Sequence, residues 1–197
     1  MMLEISPFVI FIASIFTNNM ILSNFLGMCS FIAVSKEIPT AFGLGQAVTI
    51  VLAITSIFNY LLYEYVLIPL GLEYLRFIVF IVSIAASVQL LEMVMERFLP
   101  NLYYALGIFL PLITVNCAIL GVSLFMIIRE YSFIQSVAFS IGSGIGWTLA
   151  IVAMAGIRKR LETAPIPKGL EGPGITLIIT GLMAMAFIGF SGIVQIQ

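Results

Sequence analysis

Apolar residues run along this chain in long blocks separated by short charged stretches. A bilayer core of about 30 Å takes roughly 20 apolar residues as helix. Six blocks reach or approach that length: Ile5–Ser35, Thr40–Tyr63, Phe77–Met95, Leu102–Ile128, Phe133–Ile157 and Ile175–Val194. Charge collects between them, at Lys36-Glu37, from Glu64 to Arg76, at Glu96-Arg97, at Arg129-Glu130, and from Arg158 to Glu171. The last connection is also rich in turn formers: Pro165, Pro167, Gly169, Gly172, Pro173 and Gly174. The pattern predicts an all-α integral membrane protein of six transmembrane helices, with residues 1–197 forming a single membrane domain.

The first and fourth blocks are longer than one crossing requires, because a helix rises about 1.5 Å per residue. Each carries helix-weakening residues near its middle. In the first these are Asn18, Asn19, Asn24 and Gly27; in the fourth they are Gly107, Pro111, Thr114 and Asn116. Spans one and four are therefore expected to be broken helices. A tilted helix with one polar face is the plainer alternative.

The chain also repeats itself. Cys29-Ser-Phe-Ile-Ala-Val-Ser35 is echoed by Cys117-Ala-Ile-Leu-Gly-Val-Ser123. Gly43-Leu-Gly45-Gln-Ala-Val-Thr49 is echoed by Gly142-Ser-Gly144-Ile-Gly-Trp-Thr148, and Gly71-Leu-Glu73 by Gly169-Leu-Glu171. The three pairs keep their order, which predicts a duplication with repeat 1 near residues 1–100 and repeat 2 near 101–197. Three spans per half is an odd number, so the second half enters the membrane inverted. In inverted repeats, sites form near the midplane from broken helices.

Loop charge orients the whole. The connections after spans one, three and five hold Lys36, Arg97, Arg158, Lys159, Arg160 and Lys168, against only Arg76 and Arg129 on the other side. The positive-inside rule then directs both termini away from the cytoplasm. No basic leader or Ala-x-Ala cleavage site precedes the first block, so it is expected to be kept as a span.

Composition narrows the chemistry. The chain is 62% hydrophobic and 9% charged, where a soluble domain averages about a quarter charged residues. Its net charge of −1 argues neither for nor against a charged partner, and no nucleic-acid interface is expected. There is no histidine, which excludes bis-histidine haem, histidine-ligated copper and a Rieske centre built from this chain alone. There is no aspartate, and no phosphate-binding glycine loop follows a strand. No catalytic residue is singled out.

The two cysteines remain. A lone buried cysteine is usually an inert apolar side chain, and a disulfide between the two is a further reading. Their matched placement favours a shared metal or redox site. Two thiolates do not complete a tetrahedral sulfur site, since iron–sulfur clusters and structural zinc take four protein ligands. The missing ligands must come from another chain. Half-helix N-termini would offset the charge of such a site, and Gly27 and Gly121 would let backbone approach closely. Asn116, beside Cys117, suits either a freed backbone group or an ion. Glu92 is the acid set deepest in any span and is a candidate for a cation path; close to an edge, it could instead pair with Arg97. The Gly142–Trp147 run reads as close helix packing, and Arg158-Lys159-Arg160 as a headgroup anchor.

At these phrases the chain resembles the NqrDE/RnfAE family of paired membrane subunits, which belong to the sodium-translocating NADH:quinone reductase and to the Rnf ferredoxin:NAD complex. The resemblance covers nearly the whole chain. It is strongest in Phe25–Lys36, Leu106–Ala118 and Gly142–Arg158. Gly-Met-Cys-x-Phe-x-Ala-Val-Ser and Gly-Trp-x-Leu-Ala-Ile-Val-Ala favour the reductase branch, as does Arg129-Glu-Tyr131. Pro69–Arg76 is closer to the Rnf branch, so an RnfA-type subunit is the alternative, and an inverted-repeat ion transporter without a redox centre is the alternative of another class.

The resemblance implies an antiparallel homologous partner (NqrD-like), with each subunit giving two cysteines, here Cys29 and Cys117, to an intramembrane [2Fe–2S] cluster. It implies no flavin or haem on this chain. Other subunits of a six-subunit complex would carry FAD, FMN and ubiquinone sites, with sodium export coupled to electron flow through a bacterial inner membrane. It makes Glu92 a candidate on the sodium path.

Overall fold

The computed structural model describes residues 6–98, 113–165, 167, 169–170 and 172–189. Among these residues every regular element is helical. Helix α1 spans Pro7–Ile15, α2 Met28–Val34 and α3 Ile38–Leu62. Helix α4 spans Arg76–Phe98, α5 Cys117–Ile128, α6 Phe133–Leu161 and α7 Pro173–Ile188. Proline opens α1, α3 and α7 at their first or second position, where its missing N–H is no loss and its fixed φ suits the helix.

Among the described residues, three stretches are long and apolar enough to cross a bilayer: Ile38–Leu70, Glu73–Val94 and Phe133–Leu161. The first outruns the expected end at Tyr63. After Leu62 the helix passes through a π-helical turn, Tyr63–Leu67, and stops only at Gly71, whose φ of 65° is the left-handed termination that glycine permits. Helix α6 likewise continues to Leu161. Arg158, Lys159 and Arg160, expected in a connection, form its last turn, where cations oppose the negative end of the helix dipole. The start of α6 is fixed by Gln135, whose Oε1 accepts the Ser132 N–H at 2.9 Å.

Span one is broken, as expected: α1 and α2 are separated by turns over residues 16–26. Helix α5 covers twelve residues, about 18 Å by the standard rise and short of a crossing. The part of span four before Ile113, including Gly107 and Pro111, lies outside the described residues, as do Lys168, Glu171 and the end of span six.

The centre of the fold is the pairing of α6 with α3 and α1. A Cβ on Gly45 would lie 2.5 Å from Thr148 Cγ2, and one on Gly144 2.8 Å from Thr49 Cα. The two threonine hydroxyls are 3.3 Å apart, and each also donates to the carbonyl of its own glycine at 2.8 Å. These contacts run in opposite directions along the two helices, so α3 and α6 are antiparallel. They also exchange equivalent positions of the echoed glycine–threonine phrases. Gly142 and Gly146 serve the neighbouring face: a Cβ on them would meet Phe11 O at 2.7 Å and Ile15 O at 2.9 Å. The glycine run thus packs α6 against two helices at once, the small-residue logic of membrane interfaces. Trp147, Ala150, Ile151 and Met154 fill the core beside it. Outward, α4 and α7 leave Ile78, Val82, Leu90, Leu182 and Met185 exposed, as lipid-facing helices require.

Candidate metal centre

The break in span one is organised by one side chain. Asn19, fully buried, donates from Nδ2 to Ile15 O at 3.1 Å and to Gly146 O at 2.7 Å. Its Oδ1 accepts the N–H groups of Ile21 at 3.1 Å and Leu22 at 3.4 Å. Three backbone groups of span one that an unbroken helix would pair internally are thereby satisfied, and the bond to Gly146 O ties the break to α6. The chain then passes through two left-handed residues, Phe25 with φ 55° and Gly27 with φ 88°, and starts α2 at Met28. Cys29 is the second residue of that helix.

The other cysteine opens α5. Asn116 caps this helix, its Oδ1 accepting the Ala118 N–H at 3.0 Å. Its Nδ2 donates across the halves to Ser30 Oγ at 3.3 Å, and Ser30 Oγ donates to Gly27 O at 3.1 Å. The Gly27 N–H donates to Cys117 Sγ at 2.9 Å. Residues 27–30 and 116–118, far apart in the chain, therefore form one hydrogen-bonded cluster. Both cysteines are free thiols, Cys29 exposed and Cys117 half-buried, so the disulfide is not formed.

Glycine is required at position 27 on two counts. Its φ is left-handed, and a Cβ there would sit 2.6 Å from Trp147 Nε1 and 3.2 Å from Asn116 Oδ1. Gly121 receives Leu26, from the segment leading into Gly27. The Trp147 ring is fully buried, and its indole N–H has no acceptor among the described residues. The Cys117 sulfur is thus met by a backbone N–H and stands in the first turn of α5 with its positive dipole end, while the unused Trp147 N–H lies beside Gly27.

Glu92 stands half-buried on α4 towards its C-terminal end, and no hydrogen bond of the cysteine cluster involves it. Among the described residues no three His, Cys, Asp or Glu side chains are grouped to hold a metal. Arg158, read from the sequence as part of a headgroup anchor, turns inward: its Nη1 donates to Ile32 O at 2.9 Å and Ser35 Oγ at 2.8 Å, at the end of α2. Lys159 and Arg160 are exposed. Asn19, Trp147 and Arg158 are the residues the sequence did not mark out for these roles. Asn19 meets Gly146, Trp147 adjoins Gly27 and Arg158 meets Ile32, each more than a hundred positions away, so for these contacts only the repeat, used as a contact map, offered a signal.

A sequence profile described as Rnf-Nqr subunit, membrane protein, matches residues 7–194. The chain is 56% identical over 190 residues to the E subunit of the Na(+)-translocating NADH-quinone reductase from Serratia proteamaculans, covering 93% of this chain and 96% of that protein. It is 55% identical, with the same coverage, to the proteins of that name from Yersinia enterocolitica and Pasteurella multocida.

Proposed function

The chain belongs to the Rnf-Nqr family of membrane subunits, and on that footing we propose that it is the E-type subunit of a sodium-translocating NADH:quinone reductase. In this reading it is part of an oxidoreductase complex and holds half of an intramembrane [2Fe–2S] cluster through Cys29 and Cys117. The other two thiolates come from a homologous subunit lying antiparallel to it.

The observation that carries the reading is the Gly27 N–H to Cys117 Sγ bond, which joins the two cysteine segments. The donor set fits half of such a group. Two free thiols suit half of a four-thiolate site, and no third metal-ligating side chain is grouped with them among the described residues. The unused Trp147 N–H and the α5 N-terminus suit an anionic group, whose burial without such donors would be very costly. When bound, the cluster supplies one-electron transfer. The chain's own residues do the rest: Cys29, exposed, faces the partner; Cys117 and Gly27 fix the inner edge; Asn19 and Asn116 keep the broken backbone paired. Reciprocal packing of Gly45 and Thr49 with Thr148 and Gly144 supports an inverted repeat of two three-helix halves. Loop charge supports a bacterial inner membrane with both termini periplasmic. Glu92 is assigned to the sodium path as the deepest intramembrane acid.

Electron paramagnetic resonance of the reduced, purified complex tests this. The wild type should show an iron–sulfur signal, with stoichiometric iron and acid-labile sulfide. Cys29→Ala and Cys117→Ala should each abolish it while the complex still assembles. A full signal in either variant would remove that cysteine from the ligand set.

A further inference from the structure

Helix α2, with Cys29 at its second residue, has seven residues. A helix this short does not hold its own geometry, since isolated helices below about 12–15 residues are marginal. Its far end is held by Arg158, which reaches in from the last turn of α6 to Ile32 O and Ser35 Oγ. One of these acceptors is a terminal carbonyl that the helix itself leaves unpaired. Arg158 is half-buried, whereas the two basic residues after it are exposed.

The other half of the molecule has the same joint in neutral form. Ser35 and Ser123 end the two cysteine phrases, and Asn59 and Arg158 each stand ten residues beyond the paired threonines Thr49 and Thr148. Asn59 Nδ2 donates to Ser123 Oγ at 2.8 Å, as Arg158 Nη1 donates to Ser35 Oγ at 2.8 Å. The duplicated joint therefore carries a permanent positive charge on the Cys29 side and none on the Cys117 side. Both acceptors of Arg158 are neutral oxygens, so this contact does not cancel its charge. Ile32 is three residues from Cys29, about one helical turn.

We propose that Arg158 is a positioning residue for Cys29 and the fixed charge that raises the reduction potential of the group Cys29 helps to hold. The proposal rests on the iron–sulfur reading above. Its physical content is twofold. The two bonds set where α2, and with it the Cys29 sulfur, sits. The guanidinium, which stays protonated at any working pH, favours the more negative, reduced form of a nearby cluster, whose potential responds to net charge and hydrogen bonding.

The test is a redox titration of the purified complex followed by paramagnetic resonance. The variants are Arg158→Gln, Arg158→Lys, Ser35→Ala and, as a control for charge at the exposed surface, Arg160→Gln. Arg158→Gln should shift the midpoint potential negative, while Arg160→Gln leaves it unchanged. Arg158→Lys should restore the potential by restoring the charge. Arg158→Lys and Ser35→Ala, both mild enough to assemble, should change the g-values because α2 is held differently. The proposal is overturned if Arg158→Gln titrates like wild type, or if Arg160→Gln shifts equally. It is also overturned if Arg158→Lys and Ser35→Ala both leave spectrum and potential untouched. A wild-type complex with no iron–sulfur signal would instead sink the reading beneath it.

Discussion

Replacing Gly27 by alanine tests the geometry of the cysteine cluster without touching a thiol. The substitution keeps the N–H that meets Cys117 Sγ but adds one methyl group in the wrong backbone region. Holding a non-glycine residue at φ 88° costs about 1–2 kcal/mol. The new Cβ would lie 2.6 Å from Trp147 Nε1 and 3.2 Å from Ala118 Cβ and Asn116 Oδ1. Trp147 is fully buried, so overpacking adds about 1–3 kcal/mol. The sum, about 2–5 kcal/mol, is large against a typical folding free energy of about 5–15 kcal/mol. Two readouts on the purified complex check it: the thermal midpoint in detergent, and the rate at which a maleimide labels the half-buried Cys117. Gly27→Ala should lower the first and raise the second. The control is Gly43→Ala, also in an echoed phrase but with nothing within 4 Å of its added Cβ; inside a helix it should be neutral or stabilise by up to about 1 kcal/mol. If Gly27→Ala melts and labels like wild type, or if Gly43→Ala is equally harmful, the packing of Trp147 and Asn116 around Gly27 is not as described.

Other substitutions probe the remaining joints one at a time. Asn19→Ala strips partners from three backbone groups of the broken span and should cost about 2–4 kcal/mol, at about 1–3 kcal/mol for each group left buried and unpaired and with partial relief by relaxation; unchanged thermal stability would mean that the break is held by something else. Gly144→Ala would press a Cβ to 2.8 Å from Thr49 Cα and should destabilise the α3–α6 pair by about 1–3 kcal/mol, whereas Gly181→Ala, with nothing within 4 Å, should not; equal melting of the two variants would contradict the close approach. Cys117→Ser keeps an acceptor for the Gly27 N–H, so the complex should assemble with near-wild-type melting yet lose its iron, and retained iron in that variant would count against Cys117 as a ligand.

Much of the helical plan is legible in the hydropathy. Helices α3, α4 and α6 begin within two residues of the expected positions, because a twenty-residue apolar block has few alternatives in a bilayer. Their ends are less legible. Glu64 looks like the start of a loop, yet Val66, Leu67, Ile68 and Leu70 carry α3 on to Gly71. Arg158, Lys159 and Arg160 look like loop charge, yet they complement the dipole of the turn they form. The break in span one shows through Asn19 and Gly27, since both residue types disfavour helix for local reasons. Asn19's long-range bond to Gly146 and the inward turn of Arg158 do not show, because a polar residue beside a break reads the same whether it faces water, lipid or a helix 127 positions away. The meeting of the cysteine phrases was legible only through the duplication, which supplies the pairing that local pattern lacks.

Anomalous diffraction or a density map at the iron edge of the intact complex tests the central claim most directly. An iron peak is expected within bonding distance of both Cys29 Sγ and Cys117 Sγ, completed by two thiols of a second, homologous chain. Iron bound elsewhere, or these two sulfurs facing lipid with no metal between them, would contradict it.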